Sequence, residues 1–94
     1  MEIASITHTS GNSIRRTISY RDYLFEGDTL DSVTFTPSST DLTVTGVELE
    51  PDALGVHFFV NGGVVNELVT IVVKATTVGG EVINDTIAVS VIAP

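Results

Sequence analysis

Serine, histidine and aspartate together can form a hydrolase triad, and this chain of 94 residues holds all three. The base would have to be His8 or His57, the two histidines present. A catalytic imidazole needs a partner that fixes its tautomer and a nucleophile within reach of its other nitrogen. His8 lies in a Ser/Thr/Gly/Asn-rich start where nothing preorganises it, and His57 alternates with apolar strand positions. Both are read as structural or solvated, so no catalytic residue is assigned and the chain is not expected to be an enzyme.

Glu48, Glu50 and Asp52 are close enough in sequence to suggest calcium. A tight calcium site draws six or more oxygens from a shaped loop, and no patterned Asp/Asn run occurs here, so no metal is expected. The absence of cysteine removes thiolate chemistry and disulfides and leaves the redox compartment open. Gly62-Gly63 and Gly79-Gly80 lack the strand–turn–helix setting of phosphate loops and read as turn glycines, so no cofactor is assigned. Asn84-Asp85-Thr86 fits the glycosylation pattern only formally, because the start has no basic region and apolar stretch of a signal peptide. Apolar clusters such as Val56 to Val60 fall far short of the roughly 20 residues that span a bilayer. A soluble protein without membrane contact is expected.

Charge is distributed unevenly. Arg15, Arg16 and Arg21 are three of the four basic residues, and Glu2 is the only acid before position 22, whereas Lys74 is the only cation after it. A net charge of −8 repels nucleic acid. The arginines either lie on the wet side of a strand or dock on an acidic neighbour, including a second copy. Either Tyr23, Leu24 and Phe25 form a plug over one end of the core, or Tyr20, Tyr23 and Phe25, beside Arg21, form a contact patch.

These residues need elements to hold them. Val69, Ile71, Val73 and Ala75 recur at a spacing of two, as do Ile87, Val89 and Val91 after the Gly79-Gly80 turn. This is the alternation of strands with one buried and one wet face. Ile14 to Tyr20, Asp31 to Thr36 and Val56 to Val60 repeat it, with Arg16 interrupting the apolar face of the first. Leu42 and Val44 are followed by Val47 and Leu49, a change of parity at Gly46 that predicts a bulge or a corner. If Phe58 faces inward, Phe59 faces outward near Leu68 or Val72, which implies a buried contact with another subunit or a small second core. Residues 1–13 carry only isolated Ile3 and Ile6 and are read as an extended arm that becomes ordered on a partner. The expectation is one all-β domain, a single antiparallel sandwich of about seven strands over 14–94 preceded by that arm.

The runs ISYRDYLFEGDTLDS, LTVTGVEL, FFVNGGVVNELVTIVVKATTVGG and DTIAVSV resemble a group of small tailed-phage virion proteins, over about residues 14 to 92. Asp22, Leu24, Gly27, Asp28 and Thr29 stand in an aromatic corner of that group, and Asp85, Thr86, Ile87, Val89 and Val91 in its last strand. The resemblance implies an immunoglobulin-like sandwich on the head, neck or tail of a virion assembled in the host cytoplasm. The leading expectation is capsid decoration, with many copies cementing the lattice of the major capsid protein. Ile3, Ile6, Arg15, Arg16, Arg21, Tyr23 and Phe59 would form the interface with it or with other copies. The alternatives are a neck or tail accessory protein, and a module binding a host surface protein or carbohydrate through loops 37–41 or 61–66.

Overall fold

The structure is a computed structural model and describes residues 2–94. Seven strands follow one another: β1 (Glu2–Thr9), β2 (Ser13–Ser19), β3 (Leu30–Pro37), β4 (Leu42–Leu49), β5 (Gly55–Gly62), β6 (Leu68–Thr77) and β7 (Val82–Ile92). They form a four-stranded sheet in the order β1-β7-β6-β3 and a three-stranded sheet in the order β2-β5-β4. No helix occurs among the described residues, as β-branched alternation requires.

Alternation places the core. On β6, Val69, Ile71, Val73 and Ala75 are buried, and on β7 Ile87, Val89 and Val91. Val56, Phe58 and Val60 of β5 face them from the other sheet. Phe35 of β3 meets Phe58 across the sheets, with ring centroids 4.4 Å apart. Each such side chain contributes about 1.5–3 kcal/mol by leaving water.

Two expectations need correction. The fold is not wholly antiparallel, because β1 runs parallel to β7, with Ala4 opposite Ile87 and His8 opposite Val91. Nor do residues 1–13 form a free arm: Glu2 to Thr9 are the edge strand of the larger sheet, and Met1 lies outside the described residues. Ala4 and Ile6 pack against the core, and His8 at 1% exposure is buried rather than mobile. The ladder with β7 supplies the order that the local sequence does not.

The parity change at Gly46 is a bulge. Thr45 pairs with Phe59 and Glu48 with His57, so β4 carries one residue more than β5 between those pairs. Leu49 thereby returns to the core, whereas Val47 remains exposed at 39%.

The loops gather at two ends, 43 Å being the longest dimension of the molecule. At one end lie segments 20–29, 50–54 and 78–81, joined by backbone hydrogen bonds from Tyr20 to Leu54, Leu30 to Ala53 and Val78 to Thr29. At the other lie segments 10–12, 38–41 and 63–67, joined from Gly11 to Gly62, Gly63 to Asp41 and Asn66 to Val91.

Candidate interaction surfaces

The first loop end is built by a single turn. The Tyr23 and Leu24 amides both donate to the Tyr20 carbonyl, which closes one helical turn and sends Tyr20 and Leu24 inward together. Tyr20 is buried and Leu24 packs on the core. Tyr23 and Phe25 are left outside at 57% and 73% exposure, so of the possible plug Tyr23, Leu24 and Phe25 only Leu24 packs on the core, beside the buried Tyr20. Val78 and Val82, of the hairpin at the same end, are also exposed. The opposite end presents Val64, Val65, Leu68 and Ile92, with Leu68 exposed at 81%.

The outer face of the smaller sheet holds the second arrangement. Arg15, Phe59 and Thr45 lie side by side on β2, β5 and β4. The Arg15 guanidinium stands 5.7 Å from the centre of the Phe59 ring, and Gly46 leaves room for that ring on its other side. Phe59 is therefore half-buried by its own sheet. It does not meet Leu68 or Val72, which lie on the outer face of the other sheet, across the thickness of the molecule.

The remaining arginines diverge. Arg16 points between the sheets and donates from Nη2 to the Thr7 carbonyl at 3.2 Å, tying β2 to β1. Arg21 donates to Asp52 Oδ2 at 3.0 Å on the surface. Ile3 packs against the core, and so does Ile6. The seven residues singled out as an interface thus occupy several places: Arg15 with Phe59 on one face, Ile3 and Tyr23 around a pocket, Arg21 on the surface with Asp52, and Arg16 and Ile6 half-buried.

His57 sits between two carboxylates, Nδ1 3.3 Å from Glu50 Oε1 and Nε2 3.4 Å from Glu48 Oε2. Both ring nitrogens are thereby occupied, and no serine hydroxyl is hydrogen-bonded to the ring. Asp52 is taken by Arg21 and by the Leu54 amide. Among the described residues no group of three His, Cys, Asp or Glu could hold a metal ion, and no helix is long and apolar enough to cross a membrane.

The sequence places Tyr20 at the end of an alternating strand and Asp85 in the last one, but assigns neither to a site. Asp85 shares parity with Ile87, Val89 and Val91, so it points inward and is only 7% exposed. That parity was the available signal. Burial, with the nearby Asp85 charge adding to it, pushes the Tyr20 phenol up to about 12.

A family model described as podophage GP4 fiber-tail adaptor protein gp77 matches residues 8–90. The chain belongs to this family. No curated protein matches it. Membership makes the chain a structural protein of the phage virion, in keeping with a non-enzymatic role. Capsid decoration finds no support in the family, and the tail accessory alternative fits better.

Proposed function

We propose that the protein joins a tail fibre to the phage tail. The family description carries this reading. The geometry supports it, because an adaptor needs two separate contact surfaces and the molecule presents exposed apolar side chains at both ends: Tyr23, Phe25 and Val78 at one, Val64, Val65 and Leu68 at the other. Large exposed apolar residues gathered at loop ends are a usual mark of protein contact. Between them lies an acidic body whose net charge of −8 keeps unassembled copies apart.

The sandwich serves as a rigid spacer. Its strand order supports an immunoglobulin-like reading: β2-β5-β4 faces β7-β6-β3, as strands B-E-D face G-F-C in those domains. Here β1 is added beside β7. Copies arranged around the tail would be few, and their partners would be tail and fibre proteins rather than the major capsid protein.

Quantitative mass spectrometry of purified virions tests the reading. A copy number of about 6 to 12 per particle, matching closed symmetry around the tail, is expected. A ratio near one copy per capsid subunit would overturn it in favour of shell decoration.

A further inference from the structure

The two sheets part on one side, where edge strands β1 and β2 face each other. Arg16 closes part of that gap through its hydrogen bond to Thr7. Beyond it the gap is open, and a cavity of about 190 Å³ lies between Ile3 and Ala4 of β1 and Thr17, Ile18 and Ser19 of β2. Tyr20 and Asp85 also line it, with Tyr23 beside them.

This cavity is chemically incomplete. Tyr20 is 1% exposed, and its hydroxyl has no hydrogen-bond partner among the described residues. Asp85 is 7% exposed, and none of the ion pairs formed by the described residues includes it. A carboxylate in so enclosed a place, with no cation among its described neighbours, favours a cationic partner. Of the chain's own side-chain cations, Arg21 points to Asp52, Arg15 over Phe59 and Lys74 outside, opposite Asn84 and Thr34, while Arg16 reaches the Thr7 carbonyl through Nη2 with its buried Nε left unpartnered among the described residues.

We propose that this pocket receives the guanidinium group of an arginine from a partner virion protein, with Asp85 and Tyr20 accepting its N–H groups and Tyr23 at the rim. Arginine suits the site better than lysine. Its planar, weakly hydrated head donates to two acceptors at once and stacks on an aromatic face. Tyr23 is held for such a contact by an edge-on pairing with Tyr20, ring centroids 6.5 Å apart at 71°. Ile3, Ala4 and Ile18 would cover the methylene stem. The free edges of β1 and β2 leave the mouth open to an incoming chain.

The inference rests on the adaptor reading only in calling the donor a virion protein. Its test uses the free ligand group, so its failure would leave that reading untouched. N-acetyl-arginine amide is titrated into the isotope-labelled full chain and followed by amide and side-chain NMR, with N-acetyl-citrulline amide as the neutral isostere. Shifts confined to residues 3–4, 17–23 and 85 with the arginine compound, and none with citrulline, are expected. Asp85→Asn should weaken that binding about tenfold or more, as loss of a charge-assisted hydrogen bond does, with Tyr20→Phe as a second variant that keeps the pocket's shape. Equal shifts with citrulline, binding unchanged in Asp85→Asn, or no localised shift in the folded protein would overturn the assignment and leave a water-filled cavity. Sedimentation equilibrium separates the source: a dimer abolished by Asp85→Asn would make a second copy the donor and overturn the choice of a different chain.

Discussion

The Asp28 carboxylate sits where a β-carbon on Gly79 would have to go: Oδ1 accepts the Gly79 amide at 2.9 Å, and Oδ2 lies 2.8 Å from the position of that absent carbon. Two loops 51 residues apart in sequence are joined in this way. A hydrogen bond from the Thr77 hydroxyl, with those from the Gly79 and Thr29 amides, holds the Asp28 carboxyl below its usual range against a smaller opposing effect of desolvation.

A group whose folded value is lowered stabilises above its unfolded value and loses that contribution as pH falls through the folded one. Asp28→Asn should therefore lower the melting midpoint at neutral pH and leave less difference from wild type at pH 2–3. Thermal melts across that range check it. Equal midpoints for the two proteins at pH 7 would contradict the bridging role.

Tyr20 acts at the other extreme. Its folded value is raised, so its contribution is complete below the unfolded value near 10.0 and is lost as pH rises toward about 12. Tyr20→Phe should be close to neutral in stability at pH 7, because it removes a buried hydroxyl that has no partner among the described residues. At pH 11, about one unit above the unfolded value, it should also remove about 1.4 kcal/mol of alkaline destabilisation. Denaturant titrations at pH 7 and 11 measure both.

Gly46→Ala tests the bulge. Gly46 has φ of 61°, and an added β-carbon would stand 3.0 Å from Phe59 Cδ1. Backbone strain and crowding of that ring together should cost about 2 kcal/mol. A loss well below ~0.5 kcal/mol in urea unfolding would show that the bulge relaxes freely.

Removal of residues 1–9 should do more than release an arm. It uncovers the edge of β7, 11 residues long, and deletes buried His8. The shortened chain should aggregate or unfold, since an unprotected long edge strand templates further pairing. A monomeric chain with unchanged melting behaviour would show β1 to be dispensable.

Phe25→Ser and Leu68→Ser separate contact from stability. Both side chains are largely exposed, so each variant should fold within about 0.5 kcal/mol of wild type. The two should nevertheless fail in different ways, one in tail attachment and the other in fibre capture, as a pull-down with each isolated partner would reveal.

The core was legible because its strands follow period two without interruption: the inward positions of β5, β6 and β7 are those that alternation names. Gly46 was legible for the same reason, as a break in that period. β1 was not, because its order comes from a parallel ladder with a strand about 80 residues away. The choice between plug and contact patch for Tyr23 and Phe25 was not legible, because apolarity alone does not reveal that the turn closing on the Tyr20 carbonyl turns them outward. The inward direction of Asp85 was not read, because a polar residue at an inward position is visible only when parity is carried through the whole strand.

Electron microscopy of virions assembled without this chain tests the central claim most directly. Particles with filled heads and intact tails that lack fibres are predicted. Particles that still carry their fibres would contradict the adaptor role.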